Sequence, residues 1–220
     1  MERTAKLIKK GRKQAVVLPA EFAFDTESVY IRRDDEGNIV LTARSEKEQH
    51  RDNFLRLLKQ THVPDSFLSK EERNQSYSTR DPLEGLWNML HMLDTNIVSH
   101  LVRQHPEVLN QYSRIAPEKM CISSVTEAEL LYGVAKKQNN QLHKTIVEFL
   151  KTITICDWDS EAAAAYGELR AVMEKKGKVM GDLDQLIAAH AISRGTTIVT
   201  NDRAFGMVQD LRVEDWTTAA

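Results

Sequence analysis

From Met89 to the C-terminus, short apolar runs alternate with longer segments of helical period, and this alternation constrains the fold more than any other feature. The runs are MLHML, KMCISS, TITICDW and TTIVTN; among them lie TEAELLYGVAKK, NNQLHKTIVEFLK, DSEAAAAYGELRAVMEKKG and GDLDQLIAAHAISRG. Strands that are apolar almost throughout are buried on both faces, so helices must cover both sides of a largely parallel sheet. The predicted class is α/β. Roughly 130 residues is the size of one such domain, assigned here to 89–220, with its boundary near 85–92.

The preceding residues follow a different rhythm. Residues 1–44 hold four short strand-like runs, TAKLIKK, QAVVLP, SVYIRR and NIVLTA, separated by Gly11, Pro19 and the turn DDEGN. That pattern predicts two hairpins, a β unit too small to bury a core alone and so expected to dimerise. Residues 45–88 form the third zone. Ser45 and Glu48 have capping-box spacing, and Phe54, Leu55, Leu57 and Leu58 give the helix that follows one apolar face. Residues 61–88 are polar, with Pro64 and Pro82 and isolated anchors that include Val63, Phe67, Leu86 and Trp87. A flexible linker is the plain reading, but large apolar groups need a partner. The segment therefore reads as an extended arm that docks on another surface.

Composition narrows the class. No stretch approaches the roughly 18 apolar residues needed to span a bilayer, and the basic N-terminus lacks a signal peptide's apolar core. Cys121 and Cys156 each sit in a β-like run; free thiols in a reducing cytoplasm fit better than a disulfide scaffold. The chain carries a net charge of −2, yet residues 1–13 hold Arg3, Lys6, Lys9, Lys10, Arg12 and Lys13 against Glu2 alone. A patch of that kind suits a DNA-contacting surface, although a solvated terminus would look similar.

In an open α/β sheet, ligands bind at the carboxyl ends of the strands. Asp94 follows MLHML and Asp202 follows TTIVT; each alone would pass as a helix cap. Glu129 belongs to a helix whose inward stripe is Thr126, Leu130 and Gly133. Asp184 opens the DQLIAAHA helix, with Asp182 placed to cap it. Four carboxylates at strand ends or on inward faces repel one another unless a hard cation neutralises them. An all-oxygen set suits Mg²⁺ or Mn²⁺, and such a site activates water for phosphodiester hydrolysis.

MLDTN, TEAELLYG, DQLIAAHA and TND resemble, in order and spacing, the four acidic motifs of PIN-domain ribonucleases. MCISSVTEAELLYG and the C-terminal VEDW resemble the VapC toxins of bacterial VapBC toxin–antitoxin modules in particular. The resemblance implies that Asp94, Glu129, Asp184 and Asp202 are catalytic, metal-binding residues, with Asn96, Thr200 and Asn201 as flanking polar groups. It also implies RNA as substrate, most often a tRNA anticodon stem-loop, cut to leave a 5′-phosphate and a 3′-hydroxyl. Two such domains would pair. GRKQAVVLP resembles the first hairpin of the swapped-hairpin AbrB/SpoVT-type antitoxins, a shorter match. It implies operator binding by a dimer, with Lys9, Lys10, Arg12 and Lys13 near the phosphates. Family antitoxins continue into a helix and an arm that covers the toxin's cleft, often with an arginine facing the carboxylates. Phe67 is an anchor of that arm, and Arg73 and Arg80 are the two candidates for the arginine. The two parts are usually separate chains, so their fusion is a departure from the pattern.

The seven histidines lack ligand spacing; His190 reads as a packed core histidine and His91 as a strand residue. There is no glycine-rich phosphate loop and no nucleophile elbow around Ser123 and Ser124. The expectation is a bacterial, cytoplasmic metal-dependent endoribonuclease restrained by its own DNA-binding antitoxin part, without membrane contact. The second reading is a DNA-binding repressor whose nuclease domain is permanently plugged.

Overall fold

The computed structural model describes residues 4–218 apart from 12, 35 and 69–90. Two compact units divide the chain, Met1–Ser45 and Glu46–Ala220. In the first, β1 (Lys6–Lys10) pairs antiparallel with β2 (Lys13–Val17), and β3 (Tyr30–Arg33) with β4 (Ile39–Thr42). The β1–β2 turn is closed by Gly11 at φ +63°, a left-handed conformation glycine adopts without strain. Leu7, Ile8, Val16, Val17, Tyr30 and Ile31 are exposed on this unit.

The second unit begins with α1 (Glu46–Leu58), directly after Ser45. The elements that follow are β5 (His91–Leu93), α2 (Thr95–Val102), α3 (Pro106–Arg114), β6 (Met120–Ser123), α4 (Ser124–Lys137) and α5 (Asn140–Thr152). Then come β7 (Thr154–Cys156), α6 (Ser160–Lys175), α7 (Asp182–Ser193), β8 (Thr197–Val199) and β9 (Val213–Glu214). The sheet is parallel throughout, in the order β7-β6-β5-β8-β9. The direction of winding reverses between β5 and β8, and the crevice at such a reversal is where ligands bind in open α/β sheets.

Side chains alternate across the sheet, and both faces are covered. Leu93, Met120, Ile122 and Val199 join one core with residues of α1 to α5. Met92, Cys121 and Ile198 join the other, with Leu169 and Met173 of α6 and Ile187, Ala188 and Ala191 of α7. This is why the strands read as continuous apolar runs. Both cysteines are free thiols. No described helix is long and apolar enough to cross a membrane.

Helix α1 belongs to the first core, with Phe54 fully buried between Tyr112 and Phe149 at ring separations of 5.9 and 5.3 Å. The start of the arm continues the docking. Thr61 shares a 2.7 Å hydrogen bond with Thr145, and Phe67 and Leu68 are buried in the same core. Arg73, Arg80, Leu86 and Trp87 lie outside the described residues.

At the sheet edge, His91 of β5 reaches Glu214 of β9 at 3.4 Å, and Trp216 Nε1 donates to the same carboxylate at 3.1 Å. The hydrogen bond with Glu214 outweighs burial and raises His91 above its ordinary 6.5; the same contact holds Glu214 below 4.5. The His91 contribution is complete below 6.5 and fades as pH rises through its raised value. The Glu214 contribution is complete above 4.5 and fades as pH falls through its lowered value. The melting-temperature gap between the wild type and His91→Gln should therefore be widest between pH 4.5 and 6.5 and narrow as pH rises above 6.5 through the raised histidine value. A gap that does not change with pH would show that the pair is not ionised.

Candidate active site

Asp94 ends β5 and caps α2. Its Oδ1 accepts from the Thr95 amide at 2.7 Å, and its Oδ2 accepts from Thr200 Oγ1 at 2.9 Å. The carboxylate is fully buried. Thr200, just beyond β8, is the hub of the site. Besides donating to Asp94, its hydroxyl accepts from Asn96 Nδ2 at 2.9 Å and from the Asp202 amide at 3.0 Å. The backbone holds the same alignment: the Asp94 amide donates to Val199 O at 3.0 Å, and the Thr200 amide to Glu214 O at 2.8 Å. Residues from the ends of β5 and β8 thus meet at the reversal point of the sheet.

Asp202 caps the 3₁₀ turn Arg203–Met207, its Oδ1 accepting from the Ala204 amide at 2.8 Å. Its Oδ2 is buried with no hydrogen-bond partner among the described residues, as is Asn96 Oδ1. Unpaired buried acceptors are costly, so such atoms suit a cation or an incoming donor. Glu129, half-buried on α4, accepts from Thr95 Oγ1 at 2.5 Å, which ties it to the residue beside Asp94.

Asp184 lies in the first turn of α7 and is 4% exposed, whereas the Asp182 side chain is 81% exposed with Arg170 at 4.0 Å. The cap of α7 is Gly181, not Asp182 as the sequence suggested. Gly181 also leaves room for the neighbouring carboxylate: a Cβ there would lie 2.5 Å from Asp184 Oδ2. Asn201 is directed elsewhere, its Nδ2 lying 3.1 Å from His100 Nε2 of α2. Thr95 and Gly181 are the contributors that sequence reasoning missed. The adjacency of Thr95 to Asp94 was the available signal; for Gly181 there was none.

Among the described residues, no three His, Cys, Asp or Glu side chains stand close enough to hold an ion by themselves. Magnesium does not require three: it is commonly held by one or two carboxylates, several waters and a substrate phosphate. Asp94 and Asp202, linked through Thr200 and presenting only oxygen, fit that demand. His190 is packed as expected. It is fully buried, hydrogen-bonded to Ser123 Oγ at 2.9 Å, and held below the usual histidine range by burial and then by the charge of Arg194.

The PIN domain family matches residues 91–211. The tRNA(fMet)-specific endonuclease VapC of Shigella flexneri is 42% identical over 127 residues, covering 57% of this chain and 96% of that protein. Ribonuclease VapC2 of Haemophilus influenzae is 42% identical over 129 residues, covering 57% and 97%. Among solved structures, VapBC2 from Rickettsia felis, bound to a DNA fragment from its promoter, superposes with a TM-score of 0.55 at 38% identity. It covers 58% of this chain and 99% of that chain. DNA-bound VapBC from Salmonella typhimurium gives 0.53 at 35%, covering 58% and 98%. PIN nucleases use divalent metal ions. By this match, and by relatives aligned over nearly their whole length, the chain belongs to the PIN domain family, beside the VapC ribonucleases.

Proposed function

We propose that residues 89–220 are a Mg²⁺- or Mn²⁺-dependent endoribonuclease acting on RNA, with tRNA as the substrate class. The observation that carries this reading is the buried network at the sheet reversal: Asp94 and Asp202 on either side of the Thr200 hydroxyl, with Asp202 Oδ2 unpartnered among the described residues. Asp94 and Asp202 would hold the ion, with Glu129 and Asp184 completing the acidic set. A bound metal would supply Lewis-acid activation of a water and charge neutralisation at the phosphodiester. The chain's own groups do the positioning. The Thr200 hydroxyl and the Thr95 amide hold the two carboxylate oxygens of Asp94 in a fixed orientation. Thr95 Oγ1 holds Glu129 toward the same residue. Asn96 fixes Thr200 and leaves its own Oδ1 available to a donor on the substrate or on an ion-bound water. The relative specific for tRNA(fMet) supports tRNA over other RNA.

The amino-terminal part is an antitoxin in this reading. Exposed Lys9 and Lys13 on the β1–β2 hairpin, with Lys10 opposite Lys13 in the register, supply phosphate contacts together with Arg12, which lies outside the described residues. The exposed apolar side chains of the hairpins are the surface that a second copy would cover. DNA-bound relatives support an operator partner. Helix α1 and the residues up to Leu68 inhibit the nuclease in this reading; Arg73 and Arg80, the two candidates for an inhibitory arginine, lie outside the described residues. The seating of α1, Phe67 and Leu68 in the core also favours the second reading, a repressor with a plugged nuclease.

The test is RNA cleavage by fragment 89–220 on total RNA, with the cut sites mapped. Chelation should abolish cleavage, and added Mg²⁺ or Mn²⁺ should restore it at discrete sites in tRNA. Cleavage that survives chelation would overturn the metal role, and preference for DNA would overturn the substrate.

A further inference from the structure

Helix α4 carries a glycine where its buried stripe faces the docked segment. A Cβ at Gly133 would lie 2.9 Å from Leu68 Cδ2, 3.0 Å from Phe67 Cε2 and 3.4 Å from Leu68 Cγ. Both side chains belong to the packed core. Phe67 is fully buried and Leu68 is 4% exposed. The segment's backbone is also clamped. The Arg103 guanidinium donates to the carbonyls of Asp65 (3.0 Å) and Phe67, and Lys137 donates to Ser66 Oγ at 2.8 Å. The Phe67 amide closes a turn onto Pro64 O at 2.9 Å, and Leu68 takes a left-handed φ of +52°. A leucine held in that conformation needs surroundings that enforce it.

Glycine is a poor residue for the interior of a 14-residue helix. The contrast with Gly167, in the middle of α6, is informative: a Cβ there would meet nothing within 4 Å. At Gly167 the missing side chain makes no room for a neighbour, and at Gly133 it opens a slot.

We propose that Gly133 is the specificity determinant for the inhibitory segment: the missing side chain forms the slot on α4 that admits Phe67 and Leu68. A nuclease domain of the same fold with any side chain at this position would reject the segment while keeping its own sheet and carboxylates. The proposal rests on the reading that residues 45–88 restrain the nuclease.

The experiment is amide hydrogen exchange on the full chain, read at the Phe67 amide and at β5 and β8, for wild type, Gly133→Ala and Gly167→Ala. Overpacking by one methyl should lower protection of the Phe67 amide about tenfold in Gly133→Ala. Gly167→Ala should leave it unchanged, and the strand amides should stay protected in both. Phe67 protection in Gly133→Ala equal to wild type overturns the slot. If Gly133→Ala also loosens the strands, Leu68→Ala is added to it. Strand protection recovering in the double variant supports a clash at Leu68, and no recovery overturns it. RNA cleavage by the same samples separates the two ideas. A freed segment with increased cleavage supports both, whereas a freed segment with no increase keeps the slot and overturns the inhibitory reading.

Discussion

Replacing Asp94 by alanine in fragment 89–220 is expected to lower RNA cleavage by about 10³-fold, the scale seen when a preorganised electrostatic group is removed. Two effects on stability accompany the change. The α2 cap is lost, at about 1 kcal/mol. The Thr200 hydroxyl also loses its buried acceptor, at about 1–3 kcal/mol. Against these, one anion leaves a crowded acidic site. Asp94→Asn removes the charge and keeps the cap, because the amide oxygen still accepts from Thr95, but its NH2 then faces the Thr200 hydroxyl, which loses its acceptor. It should lose cleavage nearly as fully as Asp94→Ala, with a smaller drop in melting temperature. Thr200→Val, which removes the hub and not a carboxylate, should cost less, about 10–100-fold. Parental rates for either Asp94 variant in Mg²⁺ or Mn²⁺ would remove Asp94 from the mechanism.

The sequence made the sheet legible because the strands are buried on both faces, leaving apolar runs that no surface strand would carry. Asp94 and Asp202 were legible for the same reason, since each stops such a run at its carboxyl end. Helix α2 was not. Seven of its residues, Thr95, Asn96, Ile97, Val98, Ser99, Leu101 and Val102, are buried, so no polar face marks a helical period. Strand β9 is two exposed residues long and leaves no pattern at all. Capping rules placed Asp182 at the start of α7 because they weigh only local hydrogen bonds. In the structure Gly181 holds the cap position with no side-chain bond, and Asp182 is already inside the helix. The Thr95–Glu129 and Thr200–Asp94 contacts join residues 34 and 106 positions apart, which a pattern along the chain cannot encode. Phe67 was recognisable as an anchor because a lone phenylalanine in a polar stretch needs a partner; the slot that receives it was not.

Removing residues 1–88 should raise RNA cleavage by about 10²- to 10³-fold over the intact chain at equal concentration. The magnitude follows from tethering. A segment joined to its target faces it at an effective concentration of about 1 mM, so a micromolar intrinsic affinity leaves only about one chain in a thousand open. Phe54, Leu58, Phe67 and Leu68 supply that affinity in the full chain, all buried in the core that also holds Tyr112 and Phe149. The freed fragment should carry a matching penalty. The apolar surface that α1 covers becomes exposed, so the fragment should be less soluble than the full chain and melt lower. Phe54→Ala isolates this term without deleting anything. It should destabilise the full chain by about 3–5 kcal/mol, as for other fully buried phenylalanines, and raise its cleavage toward the fragment's rate. Equal cleavage by full chain and fragment would show that residues 1–88 do not restrain the enzyme. If the Phe54→Ala chain is destabilised to this extent yet stays silent, and the wild type shifts operator DNA, the chain works as a repressor and its nuclease is plugged by contacts that α1 does not control.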